Sequence, residues 1–128
     1  MSILADVLDF ELNPNNKFLT LNFIVVLPPN KDYKPGTKYR INIKEQHLCF
    51  VEVIQSKIMY LDEIISAGYN YLDYGLESKL YIQHLSSQYS GKKWWNKKDV
   101  EKETRMNVVW FKKITQLNLF DNNELFTS

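Results

Sequence analysis

An α+β domain, rich in strands and with its helices grouped at one side, is the fold class that three features of this sequence predict. Short apolar runs with strand-like alternation recur in both halves of the chain. The main helix-period patterns fall in the stretch between Leu61 and Tyr89, and Pro/Gly turn signals separate the strands. That order places two or three helices against one side of a curved mixed sheet or β-barrel of about five to six strands. The 128 residues suit a single domain, expected over 1–114 and followed by a C-terminal tail, 115–128. Hydrophobic residues make up 45% of the chain and charged ones 24%, a balance that supports a packed core and excludes a disordered chain.

Residues 2–12 carry two patterns. Ser2 can cap a short helix through Ile3, Leu4, Val7 and Leu8, or Val7 to Leu12 can form a strand. Alternation through Leu8, Phe10 and Leu12 favours the strand, paired as a hairpin with Lys17 to Phe23 across Asn13-Pro14-Asn15-Asn16. Phe18 to Leu27 is almost continuously apolar and predicts a central strand, ended by Pro28-Pro29. Lys34-Pro35-Gly36-Thr37 is a turn, after which Tyr39, Ile41 and Ile43 alternate with Arg40, Asn42 and Lys44. Leu48 to Ile54 is the expected hairpin partner, joined through the connector Glu45-Gln46-His47.

Leu61 to Ser66 predicts a short helix stopped by Gly68. Leu76 to Tyr89 predicts the main helix, with Leu76, Leu80 and His84 on one line and Tyr81, Leu85 and Tyr89 on the next. Met106 to Ile114 closes the domain as a buried strand.

Several of these segments, in their order from Lys17 to Ile114, resemble the ASCH family of PUA-like barrels. Lys34-Pro35-Gly36-Thr37 leading into Tyr39-Arg40-Ile41 is similar to the family's entry to a barrel strand. Cys49-Phe50-Val51-Glu52-Val53, Leu61-Asp62-Glu63-Ile64, the helix ending Gln88-Tyr89-Ser90-Gly91, and Val108-Val109-Trp110-Phe111-Lys112 resemble the elements that follow. The resemblance implies a cleft for RNA or nucleosides. In one branch it implies an amidohydrolase acting on N4-acetylcytidine, with a Lys-x-x-Thr motif and a glutamate between the helices. Lys17-Phe18-Leu19-Thr20 keeps that spacing, but the family's arginine two residues on is Asn22, and Asp73 is the sole acid between Ser66 and Leu76. Lys17, Thr20 and Asp73 are the catalytic candidates on this reading: a partly desolvated lysine activates the threonine hydroxyl and the aspartate exchanges protons.

Net charge is +1, which gives no global argument for a polyanion partner. Between Lys92 and Arg105, however, six basic residues face three acidic ones beside two tryptophans. Lys92, Lys93, Trp94, Trp95, Lys97, Lys98 and Arg105, with Arg40 on the polar strand face, form the candidate nucleic-acid surface, since aromatic faces stack on bases while cations neutralise phosphates. The competing reading makes the tryptophans anchors of a surface loop.

In the tail, Gln116-Leu117-Asn118-Leu119-Phe120 resembles the peptide by which bacterial proteins dock on the replication sliding clamp. Gln116 would orient it by hydrogen bonds, and Leu119 and Phe120 would fill an apolar pocket. Alternatively Leu117, Leu119 and Phe120 add an edge strand to the domain.

One cysteine, Cys49, rules out an internal disulfide, and His47 and His84 lack metal-ligand spacing, so neither a metal nor another cofactor is expected. With no apolar run of about 20 residues and no signal-like start, the expected location is the cytoplasm, away from membranes. The leading functional expectation is a non-catalytic module for RNA or a modified nucleoside. Amidohydrolysis of an acylated cytidine and a clamp-bound adaptor are the alternatives.

Overall fold

The computed structural model describes residues 6–11, 17–18 and 20–114 of the chain. Among them are five strands and four helices. They are β1 (Asp6–Phe10), β2 (Asn22–Leu27), β3 (Lys38–Ile43), β4 (Gln46–Tyr60), α1 (Leu61–Ser66), α2 (Tyr69–Tyr74), α3 (Ser78–Tyr89), α4 (Val100–Glu103) and β5 (Arg105–Ile114). The α+β class therefore holds, with the helices between the fourth strand and the last.

The strands form one mixed sheet in the order β1-β3-β4-β5-β2, and it does not close into a barrel. Laid flat, its outermost strands would stand about 19 Å apart, four spacings of roughly 4.8 Å. The ring of Phe18 nevertheless lies 5.0 Å from Phe10 on β1 and 5.0 Å from Phe23 on β2. The sheet is thus curled until its two edges nearly meet. Phe18 fills the gap where β1–β2 pairing would complete a barrel, and a seam remains.

The expected hairpin between the first two strands does not form. β1 runs parallel to β3, with Leu8 opposite Ile41, while β2 runs antiparallel to β5. Alternation encodes a half-buried strand, not the identity of its neighbour. β2 also differs from its expected central place: it is an edge strand. Its continuous apolar run is accounted for by burial on both faces, Phe23, Val25 and Leu27 in one cluster and Ile24 and Val26 in the other.

β4 is fifteen residues long, about twice its expected length. It pairs with β5 from Phe50 to Tyr60, with a register shift between Val53 and Gln55. This bulge exchanges the two faces, so that Val51 and Val53 join the first cluster while Met59 joins the second. One strand serves two cores by this single irregularity. The β3–β4 hairpin turns on Lys44 and Glu45, whose φ values of 49° and 68° are left-handed without glycine. The Lys44 N–H donates to the Phe10 carbonyl (2.7 Å) and the Glu45 N–H to Asp9 Oδ1 (3.0 Å), which holds the turn against β1.

α1 spans the residues expected of it. Tyr60 N–H donates to the Glu63 carboxylate (2.9 Å) at its start, and Gly68 at φ 79° turns the chain into α2. Periodicity gives no separate signal for α2, three of whose six residues are tyrosines. α3 starts two residues later than expected and packs Tyr81 and Leu85, fully buried, into the second cluster with Leu61, Ile64, Met106 and Val108. Each such side chain contributes about 1.5–3 kcal/mol by leaving water. Leu80, on the neighbouring line, stays exposed.

Candidate functional site

The seam between β1 and β2 is a cleft of about 380 Å³. Leu8 to Glu11 form one wall and Val25 to Leu27 another. Asp73 and Tyr74 from α2, and His84, Leu85, Gln88 and Tyr89 from α3, close the helical side. Its volume is within the range of small-ligand sites, roughly 300–1,000 Å³.

Lys17 and Asp73 stand together in this cleft. Lys17 begins a short turn closed by Thr20 N–H to the Lys17 carbonyl (3.0 Å), and burial of Phe18 beside it draws the lysine inward. Its ammonium donates to Asp73 Oδ1, and the Tyr81 hydroxyl donates to Asp73 Oδ2 at 2.8 Å. Lys17 is 5% exposed, and Asp73 and Tyr81 are fully buried. Asn70, which donates to the Leu76 carbonyl (2.8 Å), fixes the α2–α3 loop that presents Asp73 and Tyr81 to one point.

Burial holds the Lys17 pKa below the ordinary lysine value, although Asp73 pulls it back up by charge and hydrogen bonding. Burial, aided by the Asp73 charge, pushes Tyr81 well above the ordinary tyrosine value and Tyr74 up to about 12. Tyr89 is raised by the same two causes. These phenols stay neutral near pH 7 and serve as hydrogen-bond groups and ring faces. The Lys17 ammonium lies 5.5 Å from the centre of the Tyr74 ring, and the His84 ring lies 4.3 Å from it. His84 Nε2 is buried with no hydrogen-bond partner among the described residues.

Thr20 does not join this pair. It is exposed, and its hydroxyl lies 2.6 Å from the Lys17 carbonyl and 2.9 Å from that of Asn22, so its proton goes to the backbone. It faces a second hollow of about 440 Å³, lined also by Asn22, Phe23, Ile54, Leu72 and Trp110. That hollow is larger, but among the described residues Lys17 is the one ionisable group of its lining; the seam cleft holds the chemistry.

The basic segment is arranged differently from its expected form. Lys92, Lys93, Lys97, Lys98 and Arg105 are exposed, but Trp95 is only 5% exposed and packs inside the second cluster, and Trp94 is half-buried against Tyr89, ring centres 5.1 Å apart. Trp95 therefore anchors the loop instead of offering a stacking face. Asn96 orders the same loop: its N–H donates to Thr104 Oγ1 (2.9 Å), and its Oδ1 accepts from the N–H groups of Lys98 and Asp99.

Arg40 does not extend this surface. It lies opposite Phe50 with its guanidinium 5.5 Å from that ring, whereas Arg105 lies opposite Tyr60, ten residues further along β4. That separation is about 33 Å of strand.

The segment Gln116-Leu117-Asn118-Leu119-Phe120 lies outside the described residues. Among the described residues no group of three or more His, Cys, Asp or Glu could hold a metal ion, and no helix is long and apolar enough to cross a membrane. Cys49 is half-buried, and burial pushes its thiol pKa up, the opposite of an activated nucleophile.

The cleft also contains residues that no sequence motif singles out, notably Asp9 and Tyr74. A single acid, Asp73, set in the aromatic run Tyr69 to Tyr74 is the available signal, because a carboxylate among such neighbours needs a partner. Comparison of the chain with protein-family models, with curated proteins and with solved structures gives no match.

Proposed function

We propose that the protein is an ASCH/PUA-like module that binds a base of RNA, or a modified nucleoside, in the seam cleft without transforming it. The observation that carries this reading is the cleft itself: a hollow of base-like size, with Tyr74, His84 and Tyr89 on its helical side and the Lys17–Asp73 pair at its wall. Aromatic faces suit a flat heterocycle, and polar groups at fixed positions suit its edge. Lys92 supports a role for the backbone of a longer strand, because its N–H bonds the Tyr89 carbonyl (2.9 Å) and its exposed side chain leaves the helix beside the cleft. Bases would enter the hollow while phosphates stay on Lys92 and Lys93.

Two observations favour binding over catalysis. The Thr20 hydroxyl is committed to backbone carbonyls, and Asp73 already accepts from both Lys17 and Tyr81. The test is titration of the tryptophan fluorescence with short single-stranded RNA. Trp94, packed on Tyr89, should respond, and affinity should fall as salt rises. Absence of any response at low salt with every oligonucleotide and nucleoside offered rejects the reading.

One observation keeps amidohydrolysis as a second reading: Lys17, with its depressed pKa, and Asp73 line the same cleft. Release of acetate from N4-acetylcytidine, lost in Lys17→Met, would establish it. Intact substrate after prolonged incubation removes it.

A further inference from the structure

The charge of the seam cleft narrows what it can hold. Its lining carries three carboxylates, Asp9, Glu11 and Asp73, against one lysine ammonium, Lys17. The lining, among the described residues, contains no arginine and no second lysine. Lys17 and Asp73 offset one another by their direct bond, so the remaining field comes from Asp9 and Glu11 at the β1 wall. The rings of Tyr74 and Tyr89 line the same hollow from its helical side, packed against His84 and Trp94 respectively. Asp9 is held in place, since its Oδ1 accepts from the Glu45 N–H.

A phosphate entering such a hollow meets the like charge of Asp9 and Glu11 among neutral rings. A flat cation gains from both, by attraction to the carboxylates and by the negative faces of the rings. We infer that the cleft selects a positively charged planar nitrogen heterocycle, a methylated cationic nucleobase borne by a nucleoside, over its neutral parent, and that it excludes phosphate. This inference rests on the base-binding reading of the same cleft and specifies its ligand. Backbone phosphates of a longer strand stay outside, at Lys92 and Lys93.

The experiment is calorimetry on the intact chain at pH 7 and low salt. Two pairs are compared, 1-methyladenosine against adenosine and 3-methylcytidine against cytidine, the first of each pair being cationic at that pH. Adenosine 5′-monophosphate is the anionic control. The methylated cations are expected to bind roughly tenfold more tightly than their parents, and the monophosphate more weakly than adenosine. In the double variant Asp9→Asn, Glu11→Gln, which keeps size and hydrogen-bonding oxygens, the preference should shrink to about twofold or less.

Equal binding of cation and parent overturns the charge selection while leaving base binding intact. Tighter binding of the monophosphate overturns it as well. A preference undiminished in the double variant overturns the assignment to Asp9 and Glu11. Failure of all five compounds to bind overturns the base-binding reading and this inference together.

Discussion

The Lys17 ammonium and the Asp73 carboxylate, 56 positions apart in the chain, meet inside the protein as a buried ion pair at the wall of the seam cleft. Tyr81 completes the arrangement by donating to the other carboxylate oxygen. A buried pair of this kind adds little net stability over a well-packed apolar pair, but each member is indispensable to the other. Removing one leaves a charge without its counterion.

Asp73→Ala is therefore expected to lower unfolding free energy by about 3–5 kcal/mol in urea denaturation. The double variant Lys17→Met, Asp73→Leu should lose much less than the sum of the two single changes, since no orphan charge remains. Full additivity would show that the pair is not coupled in solution.

The β3–β4 turn holds Lys44 and Glu45 in left-handed backbone, a conformation that favours Asn and Gly. Replacing both, as Lys44→Asn, Glu45→Gly, should raise stability by about 1 kcal/mol, read as a higher denaturation midpoint with an unchanged slope. The backbone N–H bond from position 45 to Asp9 survives the change.

Alkaline pH should unfold the protein by a route that the tyrosines define. Burial lifts Tyr33 and Tyr74 to about 12, against 10.0 for the ordinary side chain, and Tyr81 is raised further. Above pH 10 the unfolded chain loses these protons while the folded chain keeps them, so their contribution is full below pH 10 and is lost as pH rises toward 12. Lys17 acts in the opposite direction: its folded pKa lies below 10.5, so stability gains from it as pH rises through that lower window. Denaturation midpoints measured across pH 8–12 should fall above pH 10, and less steeply in Tyr74→Phe.

The basic loop separates two roles that lie side by side in the sequence. Trp95→Ala should destabilise the fold by about 3–5 kcal/mol, because the ring sits in the core. Lys92→Ala, Lys93→Ala should leave stability unchanged and make the salt dependence of RNA binding shallower. The slope should fall by about 1.4, near 0.7 for each phosphate of a single strand that is no longer neutralised. A less stable lysine variant would place those side chains in the structural framework instead.

Local patterns are legible in the sequence to different degrees. α1 and β3 follow directly from periodicity and from the turn Lys34-Pro35-Gly36-Thr37, where Gly36 has φ 88°. β4 exceeds its expected length because the bulge before Gln55 reverses its faces and the following Gln55-Ser56-Lys57 lacks alternation. Pairing is not legible either: β1 beside β3 depends on curling of the whole sheet, which no local window records. Of the candidate site, Lys17 and Asp73 stand out in the sequence, and their convergence is a tertiary fact. Thr20 falls outside the site because spacing along a chain does not say that its hydroxyl turns to the Lys17 and Asn22 carbonyls. Trp95 is ambiguous for a similar reason, since an aromatic beside lysines suits a base or a core equally well.

The central claim is that a base occupies the hollow between β1 and β2. Gln88 offers the most direct test, because it lines that hollow from an exposed position on α3 and can be enlarged without disturbing the core. Calorimetric titration of wild type and Gln88→Trp with the same short RNA should show binding by the first and its loss by the second, with matching thermal midpoints. Equal binding by both proteins would place the ligand elsewhere and contradict the account.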